Sequence, residues 1–251
     1  MVSEGDTNFS FVIETPDGTT PRMQIAIPEK PMGLADLVPF MHSLADEIIG
    51  LAIKKAVSHG ERVTCRSGCG VCCCQLIPLA APEVLFIVKR LLEMPLAERA
   101  PLLRRFETIE KRIEASGALK KTIRSPDAAD TDALARDYFY LKEPCPFLIA
   151  QSCSVHAWRP VVCREFNVLS DPGLCADPFV NKLSTIPLFR RPSSLLALLA
   201  AQVAGISAGL VPMPLMFDWY ESNKGLQSRT WPAEMLIKKL LEITVSPGKS
   251  K

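Results

Sequence analysis

Histidine is scarce in this chain, with three residues against nine cysteines in a length of 251. A metal site here must therefore draw mainly on sulfur. An excess of one charge is also missing. The 29 basic and 27 acidic residues leave a formal charge of +2, which makes no case for a nucleic-acid or anionic-lipid surface. The opening residues, Met1-Val2-Ser3-Glu4-Gly5-Asp6, lack the basic start and apolar run of a secretory signal. A cytoplasmic, reducing setting is expected, in which disulfides rarely persist. An odd number of cysteines also fits a closed disulfide framework poorly. No Gly-rich phosphate loop, hydrolase elbow or zinc-protease helix motif occurs, and there is no internal repeat or low-complexity tract.

What the chain does have is five thiols in ten residues, Cys65-Arg66-Ser67-Gly68-Cys69-Gly70-Val71-Cys72-Cys73-Cys74, and four more at Cys145, Cys153, Cys163 and Cys175. The rest reads as a scaffold for these two groups. With 48% apolar residues there is enough to bury a sizeable core. Residues 9–27 alternate apolar and polar around Thr15-Pro16-Asp17-Gly18 and predict a β-hairpin. Residues 34–59 place Leu37, Phe40, Met41, Leu44, Ile48, Leu51 and Ala52 on one helical stripe, with Gly60 as the stop. His42 and His59 fall off that stripe and read as solvated surface.

Helices are predicted from Ala81-Pro82-Glu83 through Leu92, over 96–116 with Gly117 ending it, over about 128–141, and over about 232–243. Residues 118–130 read as a loop and the tail from Ser246 as disordered. The uncharged stretch 192–217 reads as a buried helix packed through its small residues, with a membrane span as the less favoured alternative. The predicted fold is mainly α with a small N-terminal β-hairpin and an irregular cysteine-rich core. It divides into a hairpin segment (1–30), a cysteine-cluster domain (31–180) and a C-terminal helical extension packed on that domain (181–251). Region 142–180, rich in proline and glycine, is expected to be held by ligands rather than by regular hydrogen bonding.

Thiolates are soft ligands suited to zinc and to iron–sulfur clusters. The spacing Cys65-x3-Cys69-x2-Cys72 lets one loop wrap three sulfurs around a centre, with Gly68 and Gly70 supplying positive φ. Adjacent Cys72 and Cys73 are expected to point differently, and so to serve two metals or two edges of one cluster. Eight thiolates suit two four-cysteine zinc sites, or one iron–sulfur cluster plus a separate site. Cys74 reads as the spare, a small buried hydrophobe. Arg159 and Arg164 flank Cys163 and are placed to offset thiolate charge. The alternative for both is ordinary pairing with Glu165 or another acid.

The ordered set Cys65-x3-Cys69-x2-Cys72-Cys73, then Cys145-Pro146-Phe147-Leu148, then Cys153-Ser154-Val155-His156-Ala157-Trp158-Arg159-Pro160-Val161-Val162-Cys163-Arg164-Glu165-Phe166, resembles the YkgJ-type cysteine-cluster family. The likeness covers roughly residues 65–175. It implies a bacterial family of zinc- or iron-chelating proteins with no agreed reaction. Flagellin lysine N-methylases carry a similar cysteine region, so the resemblance also admits an iron–sulfur enzyme that methylates protein lysines. Cys74 extends the family's cysteine pair to a triplet. His156 stands where the family often has an aromatic residue; it reads as packed or supporting rather than as a ligand.

The expected ligands are Cys65, Cys69, Cys72, Cys73, Cys145, Cys153 and Cys163, with Cys175 as a weaker eighth. The expected function is metal chelation by zinc or iron, with a metal ion as the partner and no protein partner indicated. An iron–sulfur enzyme is the alternative. The Cys65-x3-Cys69-x2-Cys72 spacing equals that of radical S-adenosylmethionine enzymes, but the βα units of that superfamily are absent from the pattern. Thiol redox chemistry ranks third, because it leaves the second cysteine group unexplained.

Overall fold

A computed structural model describes residues 6–12, 22–117 and 128–245, with side chains over 28–117 and 132–244. The fold is mainly helical, with short antiparallel strand pairs. Strand β1 (Asp6–Val12) pairs with β2 (Arg22–Pro28), Phe9 opposite Ile25, and β2 lies against the last helix. The Thr15–Gly18 turn, the 118–127 part of the predicted loop and the tail from Ser246 lie outside the described residues.

Helix α1 (Leu37–Ser58) forms where the apolar period predicts it. Its buried arc is wider than one stripe, running over Leu37, Val38, Met41, His42, Leu44, Ala45, Ile48, Ile49, Ala52 and Ala56. The reason is that α1 packs against more than one neighbour: α2 (Ala81–Glu93), the short α5 (Val161–Glu165) and α6 (Pro192–Ala204). The expectation of a solvated His42 is therefore corrected, while His59 is exposed.

Helix α3 (Leu96–Ser116) buries Leu102, Phe106, Ile109 and Ile113 and stops at Gly117, whose φ of 70° is the left-handed cap that glycine adopts freely. Helix α4 (Ala128–Tyr140) packs Leu134 and Tyr138 against Ile109 and Ile113 in a small satellite cluster. The main core is continuous from Met32 to Leu240 and includes Leu195, Leu196 and Leu199 of α6 and Leu236, Ile237 and Leu240 of α8 (Ala233–Val245).

The uncharged stretch 192–217 is not one helix. α6 ends at Gly205 (φ 67°), and the chain then forms a two-residue strand, a 3-10 turn and the start of α7 (Met216–Ser222). No helix among the described residues is long and apolar enough to cross a membrane.

Three two-residue ladders complete the fold in chain order. β3 (Met32–Gly33) pairs with β8 (Thr230–Trp231), β4 (Pro78–Leu79) with β7 (Val211–Pro212), and β5 (Leu148–Ile149) with β6 (Ser152–Cys153). The β4–β7 pairing anchors the chain just after the five-thiol loop. The β5–β6 hairpin lies between Cys145 and Cys153.

Region 142–180 is irregular, as expected, but it is not without hydrogen bonds of its own. Ser154 donates from its amide and hydroxyl to Phe147 O, Arg105 reaches Pro146 O, and Val168 bridges to Thr185. Such local bonds satisfy the buried backbone without a ladder.

Candidate metal centre

Helix starts are the fixed points around which the cysteine segments are arranged. Glu83, in the first turn of α2, is 1% exposed. Its carboxylate accepts from Ala80 N at 2.9 Å and from Val161 N at 2.7 Å, so one acid closes the N-termini of α2 and α5 together. Burial pushes its pKa up to about 7. Glu165, at the end of α5, accepts from the amide and hydroxyl of Ser193 at 2.6 and 2.9 Å and so closes α6. Cys163 sits within α5, between these two anchors.

The five-thiol loop is held on the opposite side. Thr64 donates from its amide and hydroxyl to Val168 O and from its hydroxyl to Ser170 O. Val168 N donates to Cys65 Sγ at 3.3 Å. Gly68 takes the expected positive φ of 79°, but Gly70 does not; its φ is −96°. Glycine is required at position 70 for space. A Cβ there would lie 2.8 Å from both Gln151 Oε1 and Leu148 Cδ1. Gln151 and Ala150 form the two-residue loop of the β5–β6 hairpin with φ of 61° and 47°, a pattern that non-glycine residues adopt at a cost.

All eight predicted ligands, Cys65, Cys69, Cys72, Cys73, Cys145, Cys153, Cys163 and Cys175, line one cleft of about 510 Å³. Cys74 is outside it, half-buried, with its thiol toward Val71 O. Among the described residues, no aspartate, glutamate or lysine lines the cleft, the cationic side chains along it are Arg66 and Arg159, and His156 is exposed at its edge. The Cys72 and Cys73 thiols lie close enough to influence each other's ionisation. All the cysteines are free thiols. Among the described residues, no three His, Cys, Asp or Glu side chains converge on one point at metal-ligand spacing. The eight sulfurs border a space instead of meeting at one.

The electrostatics are those of crowded thiols. Burial pushes Cys145 up to about 12 and Cys163 well above its ordinary value, with further increases from neighbouring thiols. The bond from Cys73, then burial, raises Cys72; burial also raises Cys153 and Cys175. Arg159 works against this trend at Cys72, Cys153 and Cys163.

The two flanking arginines separate here. Arg164 is taken by Asp46, with both oxygens at 3.0 Å, and by Ala157 O. Arg159 lines the cleft with a buried Nε that has no hydrogen-bond partner, and the Nε2 of Gln75, also in the cleft wall, is in the same condition. Arg159 first and burial second lower the pKa of His156 at the cleft edge. Of the two roles expected for His156, packed or supporting, its exposure removes the packed one.

The donor set thus fits a soft metal. It offers sulfur, an imidazole at its edge, a thiol already receiving an N–H bond, and two orphaned donors belonging to residues of the cleft wall. Sequence reasoning missed His42, Gln75 and the double role of Glu83. His42 is buried and stacks edge-on to Phe86. Only Glu83 carried a local signal, as an acid in a proline-started first turn. No protein family, curated protein or solved structure matches this chain.

Proposed function

We propose that this protein is a metal-binding protein whose core activity is chelation of zinc or iron, including an iron–sulfur centre, by a multi-cysteine site. The observation that carries this reading is the gathering of eight thiols from three separate stretches of chain into one cleft that, among the described residues, contains no carboxylate. Hard cations such as calcium and magnesium prefer oxygen ligands, so this lining selects a soft or borderline metal. Crowding so many thiols along one cleft, with Cys145 and Cys175 buried, leaves several of them hard to ionise. A bound cation removes this difficulty, since it takes the thiolate form and offsets its charge.

In this reading Cys65, Cys69, Cys72, Cys73, Cys145, Cys153, Cys163 and Cys175 hold the metal. Arg159 and Gln75 stand beside them in the cleft wall. Glu83 and Glu165 hold the helix starts on which Cys163 is mounted. When bound, the metal supplies a cross-link between the three cysteine segments. The chain's own part is to keep the thiols close, shield them on one side, and release their protons.

The experiment is elemental analysis with an ultraviolet–visible spectrum on protein purified without oxygen. Zinc, or iron with acid-labile sulfide, supports the reading and names the metal. Metal-free protein that also fails to take up either ion under reducing conditions would overturn it.

A further inference from the structure

The cleft has a second kind of lining besides sulfur. Ile77, Phe147 and Met213 belong to the buried main core, and all three also border the cleft. Part of its wall is therefore the hydrophobic core itself. Met213 N donates to Ile77 O at 2.9 Å, which joins two of these residues. Thiolate ligation does not by itself call for an apolar wall, and a space of about 510 Å³ falls within the range of small-molecule sites.

Two unmet donors belong to the same lining. Gln75 Nε2 and Arg159 Nε are buried and have no hydrogen-bond partner. Gln75 comes two residues before Ile77. Arg159 follows Trp158, whose ring meets that of Phe147 edge-on at 5.9 Å. Glu83 ties the two segments together, because its carboxylate accepts from both Ala80 N and Val161 N. A buried donor left without an acceptor is costly, the more so on a charged group. Thiols are weak acceptors. None of the side-chain oxygens along the cleft, on Ser67, Gln151, Ser152 and Asn167, takes either bond. Among the described residues no carboxylate lines the cleft, whereas Arg66 and Arg159 do.

We propose that the cleft takes a small organic acid, a monocarboxylate with an apolar body. Its carboxylate accepts from Arg159 and Gln75, and its body lies along Ile77, Phe147 and Met213. A guanidinium matches a carboxylate in charge and in planar shape, so Arg159 makes the stronger of the two polar contacts. An inorganic oxyanion would satisfy the donors and leave the apolar wall bare. A neutral apolar molecule would cover the wall and leave the donors unmet. A molecule with both ends answers both features. This inference goes beyond the metal-binding reading and does not rest on it, since none of the groups it uses is a thiol.

The test is isothermal titration calorimetry with sodium octanoate on the full-length protein, both as purified and after metal removal. Acetate, phosphate and 1-octanol serve as comparisons. Octanoate is expected to saturate at one equivalent in at least one of the two forms, and to bind more tightly than any comparison by about tenfold or more. Arg159→Met should weaken octanoate by about 10–100-fold and Gln75→Leu by about fivefold. Folded variants that bind octanoate as the parent does would overturn the proposal. So would 1-octanol binding as tightly as octanoate, which means adsorption to the apolar wall alone. The absence of saturable octanoate binding in both forms overturns it too, and leaves the two donors to solvent. If a variant does not fold, carbon-13 NMR of carboxyl-labelled octanoate on the parent decides. The bound carboxyl should titrate at lower pH than the free acid, as a guanidinium partner requires, and an equal or higher value overturns the assignment. A chain that takes no metal but binds octanoate counts against the metal-binding reading alone. One that takes metal but not octanoate counts against this inference alone.

Discussion

His42 shows how one side chain reports on its surroundings. Burial first, and the Arg164 charge second, lower its pKa from the ordinary 6.5 to about 4. As pH falls the unfolded chain takes up this proton first. The stability that neutral His42 contributes is therefore full above about pH 6.5 and is lost as pH drops toward 4. Glu83 acts in the opposite sense. Its folded pKa of about 7 lies above the ordinary 4.5, so the folded state binds more protons in that window and its contribution is lost as pH rises through it. In the parent chain the two slopes oppose each other between about pH 4.5 and 6.5. His42→Asn keeps a donor near the Arg159 backbone and removes one slope. Its urea midpoint should fall relative to the parent more strongly as pH rises from 4.5 to 6.5, then run parallel above.

Arg159 belongs to the same scale. Replacing a group that supports metal ligands from outside typically weakens metal binding by roughly 10–100-fold. Arg159→Met should therefore lower zinc or iron affinity in a competition assay by about that factor. Arg159→Lys should restore part of it, because charge returns without the planar fork.

At the scale of elements, the helices were legible because their apolar residues recur every three to four positions and their ends carry proline or glycine. Pro82, Gly117 and Gly60 all act where the sequence placed them. The burial of His42 was not legible. A single-stripe reading assumes one packed face, and α5, built from five residues inside the irregular region, supplies a second. The stretch 192–217 was expected to be one buried helix, yet the left-handed conformation of Gly205 ends α6, and the chain goes on as strand and turn.

Gly70 makes the same point about distance in sequence. Its neighbours Leu148 and Gln151 are on a hairpin that no local pattern connects to it. Gly70→Ala forces the tips of both side chains away and nudges the Gln151 carbonyl. It should cost about 1–3 kcal/mol in denaturant unfolding, in the range of overpacking. The double variant with Gln151→Ala should recover part of that loss, which a double-mutant cycle measures.

At the scale of the whole molecule, the eight thiols singled out in the sequence all line one cleft and Cys74 does not. The shape of the cleft was not legible, because spacing along the chain says which sulfurs are able to approach, not whether they meet. Behind the cleft wall an edge-to-face row of rings runs from Phe86 through Trp158, Phe147 and Phe106 to Phe217. Phe147 touches both the row and the cleft, so Trp158 is a built-in reporter. Metal removal by a chelator under reducing conditions should change Trp158 emission and lower the melting temperature together, as binding and folding are coupled. A shift in neither, with metal demonstrably removed, would mean that the cleft is held by its hydrogen bonds alone.

The division of the cleft between early and late stretches of chain has a consequence in time. Five thiols lie within residues 65–74, and the next arrives some seventy residues later. At synthesis rates of about 5–20 residues per second, the first loop leaves the ribosome roughly 4–14 s before any thiol from the second group exists to meet it. During that interval it is an open, glycine-flanked run of soft donors, with neither Glu83–Val161 nor Thr64–Ser170 yet formed to shelter it. The nascent chain is then at its most exposed to oxidants and to the wrong ion. If the cleft binds metal as proposed, the chain is more vulnerable to oxidation and to the wrong ion while it is being made than when it is finished.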